Sequence, residues 1–579
     1  MSKKTLTVID LFCGAGGFSE GFRQQGFDII LGVDRWQPAI DTFNHNYSKD
    51  FEAKNILLYG ESIEEIENLP DSDVILGSPP CVSFSNSNKS GKADKTLGIK
   101  LTECFLRIVA VKKHKPNSKL KAWFMENVKN SKKHLQPSYS FKDLNLYEWA
   151  IENGIDPKST AVVLHGNSAI INSADYGSLQ SRHRLITGEI VISGKFLLPT
   201  PTHKCPENKT ANCLFENLQS LPNYRTLGQF MKSFPSPFDK ETSELVSDPS
   251  YDFIIEKRSI SDHFYDTGIH ECEWKNSEYL KLNHPFMGKM SFPENLSKPS
   301  RTVTATSIGS SREALIFKSE VHRTGNGEYR IPTVREAAVL MGFPLTYQFI
   351  GSEGIKRKLI GNAVCPPVSN ALAREVRRAY GLCVLDKPDV TTEPNLEKIN
   401  NLNTFSTKDF GLPPKRKKGS RFRRHPFKSG NMTIALSNYD ITGENKKLGD
   451  WRVTVFYGTG EGFGSSSYKE GFYKQLEPII IKEFPDGENF IKVINNGFSE
   501  RIAGKHLLQE MYENKISYGQ YLEPTLLIDE LAKIIEQFDT LDEAFDQKGL
   551  SIFKKSSVPK KQLYSLYAIN KIISVANNN

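Results

Sequence analysis

The feature that most restricts the fold is the apolar run "TLTVIDLF" at residues 5–12, which passes without a break into "CGAGGFSEGF". A largely apolar run with β-branched members, stopping at glycines, predicts a strand buried on both faces that enters a helix through a tight turn. Three further runs repeat the theme. Ile29–Val33 ends in Asp34, Val74–Leu76 ends at "GSPPC", and "AWFMEN" at 122–127 ends in Glu126 and Asn127. Helical spacing separates them, so the pattern predicts an open α/β sheet with polar residues gathered along the carboxyl ends of its strands.

Other readings are narrowed by composition. The 579 residues are enough for several domains, and 38% hydrophobic with 25% charged residues is a globular balance. No run spans a bilayer and the N-terminus lacks a secretory cleavage pattern, so a cytosolic protein is expected. The eight cysteines are too scattered for a disulfide framework. A net charge of +8 suits a polyanionic partner without requiring one.

Taken singly, the rim residues have dull explanations. Gly14, Gly16 and Gly17 could make only a turn, since the full dinucleotide-binding glycine spacing is missing; Asp34, 20 residues after Gly14, suits a pair of ribose hydroxyls. A lone Cys81 is usually a small buried hydrophobe.

In order and together, "DLFCGAGGFSEGF", "GSPPCVSFS", "MENV", "QSRHR" and "GNAVCPPV" resemble the motifs of the DNA cytosine-5 methyltransferase family. "KPSRTVTAT" at 298–306 and "RIPTVREAAVLMGFP" at 330–344 are similar to two more, and the resemblance runs over residues 5–380. It implies a Rossmann-like S-adenosylmethionine-dependent sheet, an inserted smaller target-recognition domain and an additional C-terminal α+β domain. The expected limits are 1–190 and 298–380 for the two parts of the catalytic domain and 191–297 for the insert. A basic linker is expected at 381–430 and a C-terminal domain, of no assigned function, at 431–579.

The resemblance also implies roles. Cys81 is the thiolate that adds to carbon 6 of cytosine, Glu126 holds N3 and the exocyclic amine, and Arg182 and Arg184 hold O2 and the active-site loop. S-adenosylmethionine is expected over Phe12, Gly14, Gly16 and Gly17, with Phe18 on the adenine side and Asp34 on the ribose. Glu61, Ser62, Pro79 and Asn362 complete its pocket. Two departures stand out: "GESI" at 60–63 replaces Gly-Asp-Ile, and Val82 follows the cysteine in place of glutamine. No metal is implied. The expected partner is double-stranded DNA, met by a monomer in a bacterial or phage-type cytoplasm, at the nucleoid, with no membrane and no obligatory protein partner. The polar loop after Cys81 is expected to close over DNA.

Competing readings rest on other residues. His203, Cys205 and Cys213 fit no zinc spacing. Asp486, Glu513 and Lys515 have the composition of a nuclease site, which would make a fused restriction and modification protein. The family's RNA-methylating branch usually continues its cysteine loop as "CQPFT", whereas this chain has "CVSFS". A non-catalytic DNA-binding member would not need Cys81, Glu126 and both arginines.

Overall fold

The computed structural model describes residues 5–80, 96–206, 220–239, 244–283, 289–305, 309–410, 424–429, 432–438, 450–457, 465–514, 516–538, 544–547 and 549–579. It divides into two compact units, Met1–Phe410 and Gly411–Asn579.

In the first unit, β1 (Thr7–Leu11) leads through the glycine turn into α1 (Gly17–Arg23), and β2 (Asp28–Val33) leads into α2 (Gln37–Tyr47). Next come β3 (Val74–Gly77), α3 (Thr96–His114), β4 (Ala122–Val128), β5 (Ser168–Asn172) and β6 (His183–Ile190). The sheet runs β2-β1-β3-β4-β6-β5. Its first four strands are parallel, while β6 is antiparallel to both β4 and β5. Because side chains alternate along a strand, each parallel strand feeds two cores. Val8, Leu76 and Phe124 pack on one side, and Ile9, Ile75 and Trp123 on the other.

The chain returns late to this sheet through α4 (Val334–Met341), α5 (Glu353–Asn362) and α6 (Pro366–Ala379). Gly21 on α1 makes the return possible, because a Cβ there would run into the Asn370 amide nitrogen and the Pro366 carbonyl of α6. Deleting that methyl lets two helices meet backbone to backbone.

Two regions differ from the expected layout. Leu227, Phe230, Val246, Ile255 and Phe264 of the 191–297 insert belong to the same core as β1 and α1. Ile269 and Trp274 of the same insert instead form a small cluster with Ala314 and Ile316. Residues 381–410, read as linker, lie in the first unit. The Leu402 amide donates to Asp262, and Asn403 accepts from the His263 and Phe264 amides. The basic stretch from 412 to 423 falls outside the described residues.

The second unit has a four-stranded antiparallel sheet, β7 (Arg424–Ser429), β8 (Met432–Asn438), β9 (Trp451–Phe456) and β10 (Ser465–Tyr468), in that order. Helices α7 (Tyr473–Glu483), α8 (Lys505–Asn514) and α9 (Pro524–Phe538) pack around it. The last helix, α10 (Lys560–Asn578), is buried on nearly all sides. A helix surrounded in this way is the centre of its unit.

Candidate active site

Four of the expected site elements meet at the carboxyl ends of β1 to β4. After β1 the backbone turns sharply: Phe12, Gly14 and Gly16 all have positive φ, at 60°, 53° and 83°. Gly16 has no space for a side chain, since a Cβ would sit 2.6 Å from the Tyr347 hydroxyl and 2.7 Å from the Tyr47 ring. At Gly14 a Cβ would meet nothing within 4 Å, so that side of the turn is open.

Asp34, at the end of β2, ties the neighbouring loop ends together. Its carboxylate accepts from the Gly14 amide at 3.0 Å and the Trp36 amide at 2.9 Å. Burial raises its pKa, opposed by those same amide hydrogen bonds. Beneath the turn, Asp10 of β1 is fully buried and accepts from the Ser19 hydroxyl at 2.7 Å, while its other oxygen has no hydrogen-bond partner. Desolvation pushes the Asp10 carboxyl up to about 7. The same effect, with Asp10 and Asp34 nearby, raises the buried Cys13 thiol.

The two phenylalanines, both expected at the cofactor, face different ways. Phe18 is buried in the core against Phe22, whereas Phe12 is only partly buried at the rim. Phe18 points inward because it sits on the core side of α1; the aromatic face available at the turn is that of Phe12.

Glu126 lies near the end of β4 with its side chain 7% exposed. One oxygen accepts from the Ser78 hydroxyl at 2.8 Å and the other pairs with Arg184 Nε at 2.9 Å. Strand register explains the pair. Arg184 on β6 lies opposite Val128, two residues from Glu126, which makes arginine and glutamate diagonal neighbours on one face. Ser78 follows β3 and is succeeded by the buried Pro79 and the exposed Pro80. Cys81 and the polar loop behind it lie outside the described residues.

Arg182 is not at this carboxylate. It is 3% exposed and donates to the carbonyls of Val303, Gly361 and Ala363 at 2.9, 3.0 and 3.2 Å. It braces the returning segments against the sheet, and of the two arginines only Arg184 reaches Glu126. Gln180, in the same motif, adds to the brace by accepting from the Val303 amide at 2.9 Å.

The remaining expected contacts are dispersed. Glu61 is exposed at the end of a short helix, and the Ser62 hydroxyl caps the next one by accepting from the Glu65 amide. Asn362 is exposed at the end of α5, between the two carbonyls that Arg182 holds. His203 bonds Thr202, and Cys213 is outside the described residues. Asp486 is exposed ahead of one helix, Glu513 accepts from Gln509 on α8, and Lys515 is outside the described residues. Among the described residues no three His, Cys, Asp or Glu side chains cluster as a metal site, and no helix is long and apolar enough to cross a membrane.

Sequence reasoning missed Ser78, Gln180 and Tyr347. Ser78 and Gln180 sit inside motifs that were read for their cysteine and arginines; Tyr347 touches the turn from more than 300 positions away, and nothing local marks it.

A glycine turn after the first strand, an acid after the second and a carboxylate–guanidinium pair on the same rim define a Rossmann-like methyltransferase domain. The family model for C-5 cytosine-specific DNA methylase matches residues 6–378. Type II methyltransferase M1.HphI of Haemophilus parahaemolyticus is 26% identical, over 64% of this chain and 87% of its own. Type II methyltransferase M.HindV of Haemophilus influenzae is 32% identical, over 40% of this chain and 71% of its own. The solved Entamoeba histolytica methyltransferase EhMeth aligns at 18% identity over 65% of this chain and 99% of its own, with a TM-score of 0.38. The chain belongs to the C-5 cytosine-specific DNA methylase family and is a DNA cytosine-5 methyltransferase.

Proposed function

We propose that the enzyme acts as a monomer on duplex DNA, extrudes one cytosine of a specific sequence, and methylates it through a covalent adduct with Cys81. Carbon 5 of cytosine is a weak nucleophile. Adding the Cys81 thiolate at carbon 6 breaks the aromatic ring and makes carbon 5 enamine-like, which replaces one hard step by easier ones. Glu126 takes the N3 edge and the exocyclic amine, and Arg184 holds the carboxylate and the ring's O2 with a fixed, permanently charged fork. Once carbon 5 carries the methyl group, its proton leaves to a base and the carbon–sulfur bond breaks, returning the thiolate. The reacting carbon is inaccessible in a stacked duplex, so the base must first leave the helix.

The open side of the Phe12–Gly17 turn and the half-buried Asp34 carboxylate fit S-adenosylmethionine, which supplies an electrophilic methyl group. Phe12 offers the aromatic face and Asp34 the ribose contact. Pro79, Glu61, Ser62 and Asn362 belong to the outer wall of this pocket. The insert within 191–297 carries target recognition, and the protein serves as the modification arm of a restriction-modification system.

The observation that supports this reading best is the Ser78–Glu126–Arg184 cluster, placed three residues before Cys81 and joined to it by two prolines that stiffen the approach. Sequencing methylated cytosines in DNA from cells expressing the chain identifies the target. A duplex with 5-fluorocytosine at that position then traps a stable protein–DNA complex with the wild type and none with Cys81→Ala. Turnover of that duplex without trapping overturns the covalent route.

A further inference from the structure

We propose that Tyr347 is a positioning residue for the S-adenosylmethionine turn, acting from the returning part of the chain with Tyr47 as its partner. The proposal rests on the cofactor reading of the Phe12–Gly17 turn given above. The Tyr347 hydroxyl donates to the Ala15 carbonyl, and the Tyr47 hydroxyl donates to the next carbonyl, that of Gly16, at 2.9 Å. Two consecutive peptide planes are therefore pinned from the core side, and a planar trans peptide whose carbonyl is held has its N–H direction settled as well.

This turn needs such support. Three of its residues have positive φ, one of them a phenylalanine, and glycine at 14 and 16 opens many alternative conformations. Local hydrogen bonds are few: Gly16 N–H reaches the Cys13 carbonyl, and Gly14 N–H reaches Asp34. The rest comes from distant sequence. Besides Tyr347, Ser369 on α6 donates to the Phe18 carbonyl just past the turn.

The tyrosine pair is built for donation. Tyr347 is buried and Tyr47 partly buried, their rings meet edge to face at 6.5 Å, and the Phe343 ring lies tilted against Tyr347 at 4.7 Å. Burial, with the buried Glu20 nearby, raises both phenols well above their ordinary range, so each keeps its proton. Gly16 is the complementary half of the device, since any side chain there would displace the Tyr347 hydroxyl.

The test uses the full chain and compares Tyr347→Phe, Tyr47→Phe, Asp34→Ala and Tyr265→Phe. Tyr265 is a buried tyrosine whose hydroxyl bonds Glu353 and the Val334 amide, away from the turn. Calorimetric Kd for S-adenosylmethionine and steady-state methyl transfer to unmethylated genomic DNA are measured. Tyr347→Phe is expected to raise Kd and KM for S-adenosylmethionine about tenfold, with kcat and the KM for DNA within about twofold. Tyr47→Phe should raise them about threefold, because the Gly16 carbonyl keeps the Glu20 amide. It carries the test if Tyr347→Phe does not fold. Tyr265→Phe should leave Kd unchanged; an equal weakening there means general loosening and overturns the proposal. Weakening by Asp34→Ala with wild-type Kd in the tyrosine variants also overturns it, whereas wild-type Kd in Asp34→Ala overturns the cofactor reading itself.

Discussion

The two units of this protein solve burial in different ways. The first buries many charged side chains, among them Asp10, Glu20, Glu126, Arg182, Asp262, Arg330, Arg335 and Lys356, whereas in the second Lys560 is the one fully charged side chain among the described buried residues. Moving an ion out of water costs several kcal/mol unless a partner is in place. The first unit meets that cost at the joints where its second half returns. Lys356 holds both oxygens of Asp262 at 2.7 Å, and Arg330 pairs with Glu336. The second unit is held by Leu476, Ile480, Leu531 and the apolar residues of α10, which need only shape. Two of these charges, Asp262 with Lys356 and Glu126 with Arg184, join segments distant in sequence, and a site that depends on such a joint inherits its vulnerability.

The largest expected effect separates the units with one product residue. Lys356→Met leaves Asp262 buried without its cation and should destabilise the protein by about 3–5 kcal/mol. Leu531→Met in the second unit conserves volume and should cost less than about 1.5 kcal/mol. Urea unfolding of both variants checks this, and equal costs would break the comparison.

The next effect sharpens it within a single motif. Arg182→Met strands three buried carbonyls and should lower stability by about 2–4 kcal/mol. Arg184→Met leaves the nearly buried Glu126 with only the Ser78 hydroxyl, so it should lower stability as well, and on the proposed role it should in addition lower kcat of the folded enzyme on the order of 100-fold, which Arg182→Met should not. Melting curves beside single-turnover methyl transfer separate the brace from the catalytic group; a swap of the two outcomes refutes the assignment.

The smallest effect is a pH response. The Asp10 carboxyl is raised from 3.8 to about 7 by burial, so between those values the folded state holds a proton that the unfolded state has lost. Stability therefore falls as pH rises through that window, and the penalty is complete above about 7. Asn at this position cannot ionise. The stabilising effect of Asp10→Asn should be about 1 kcal/mol larger at pH 8 than at pH 6, which denaturant midpoints at the two pH values measure; a constant difference contradicts it.

Much of the rim was legible because the end of a buried strand is a position that sequence marks plainly. Asp34 and Glu126 each close an apolar run, and the register of β4 with β6 puts Arg184 beside Glu126. The readings that changed are those in which a side chain had to choose a side. Phe18 went into the core and Phe12 stayed at the rim, because α1 turns one face to α6 and the core. Arg182 and Arg184 are two residues apart in one motif, yet one is consumed by carbonyls from 303, 361 and 363.

By itself the sequence determined the strand order of chemistry along the chain: the glycine turn, Asp34, the Pro-Pro-Cys approach, Glu126 and the arginine pair. Periodicity and composition act locally, so they settle which residues end a strand and which chemistry is present. Only the tertiary structure decided that Tyr347 and Ser369 reach the glycine turn and its helix, that Gln180 reaches the returning Val303, and that residues 381–410 form part of the first unit. Those contacts close loops of a hundred residues or more, and the shape of the packed core, not any nearby residue, selects the partner.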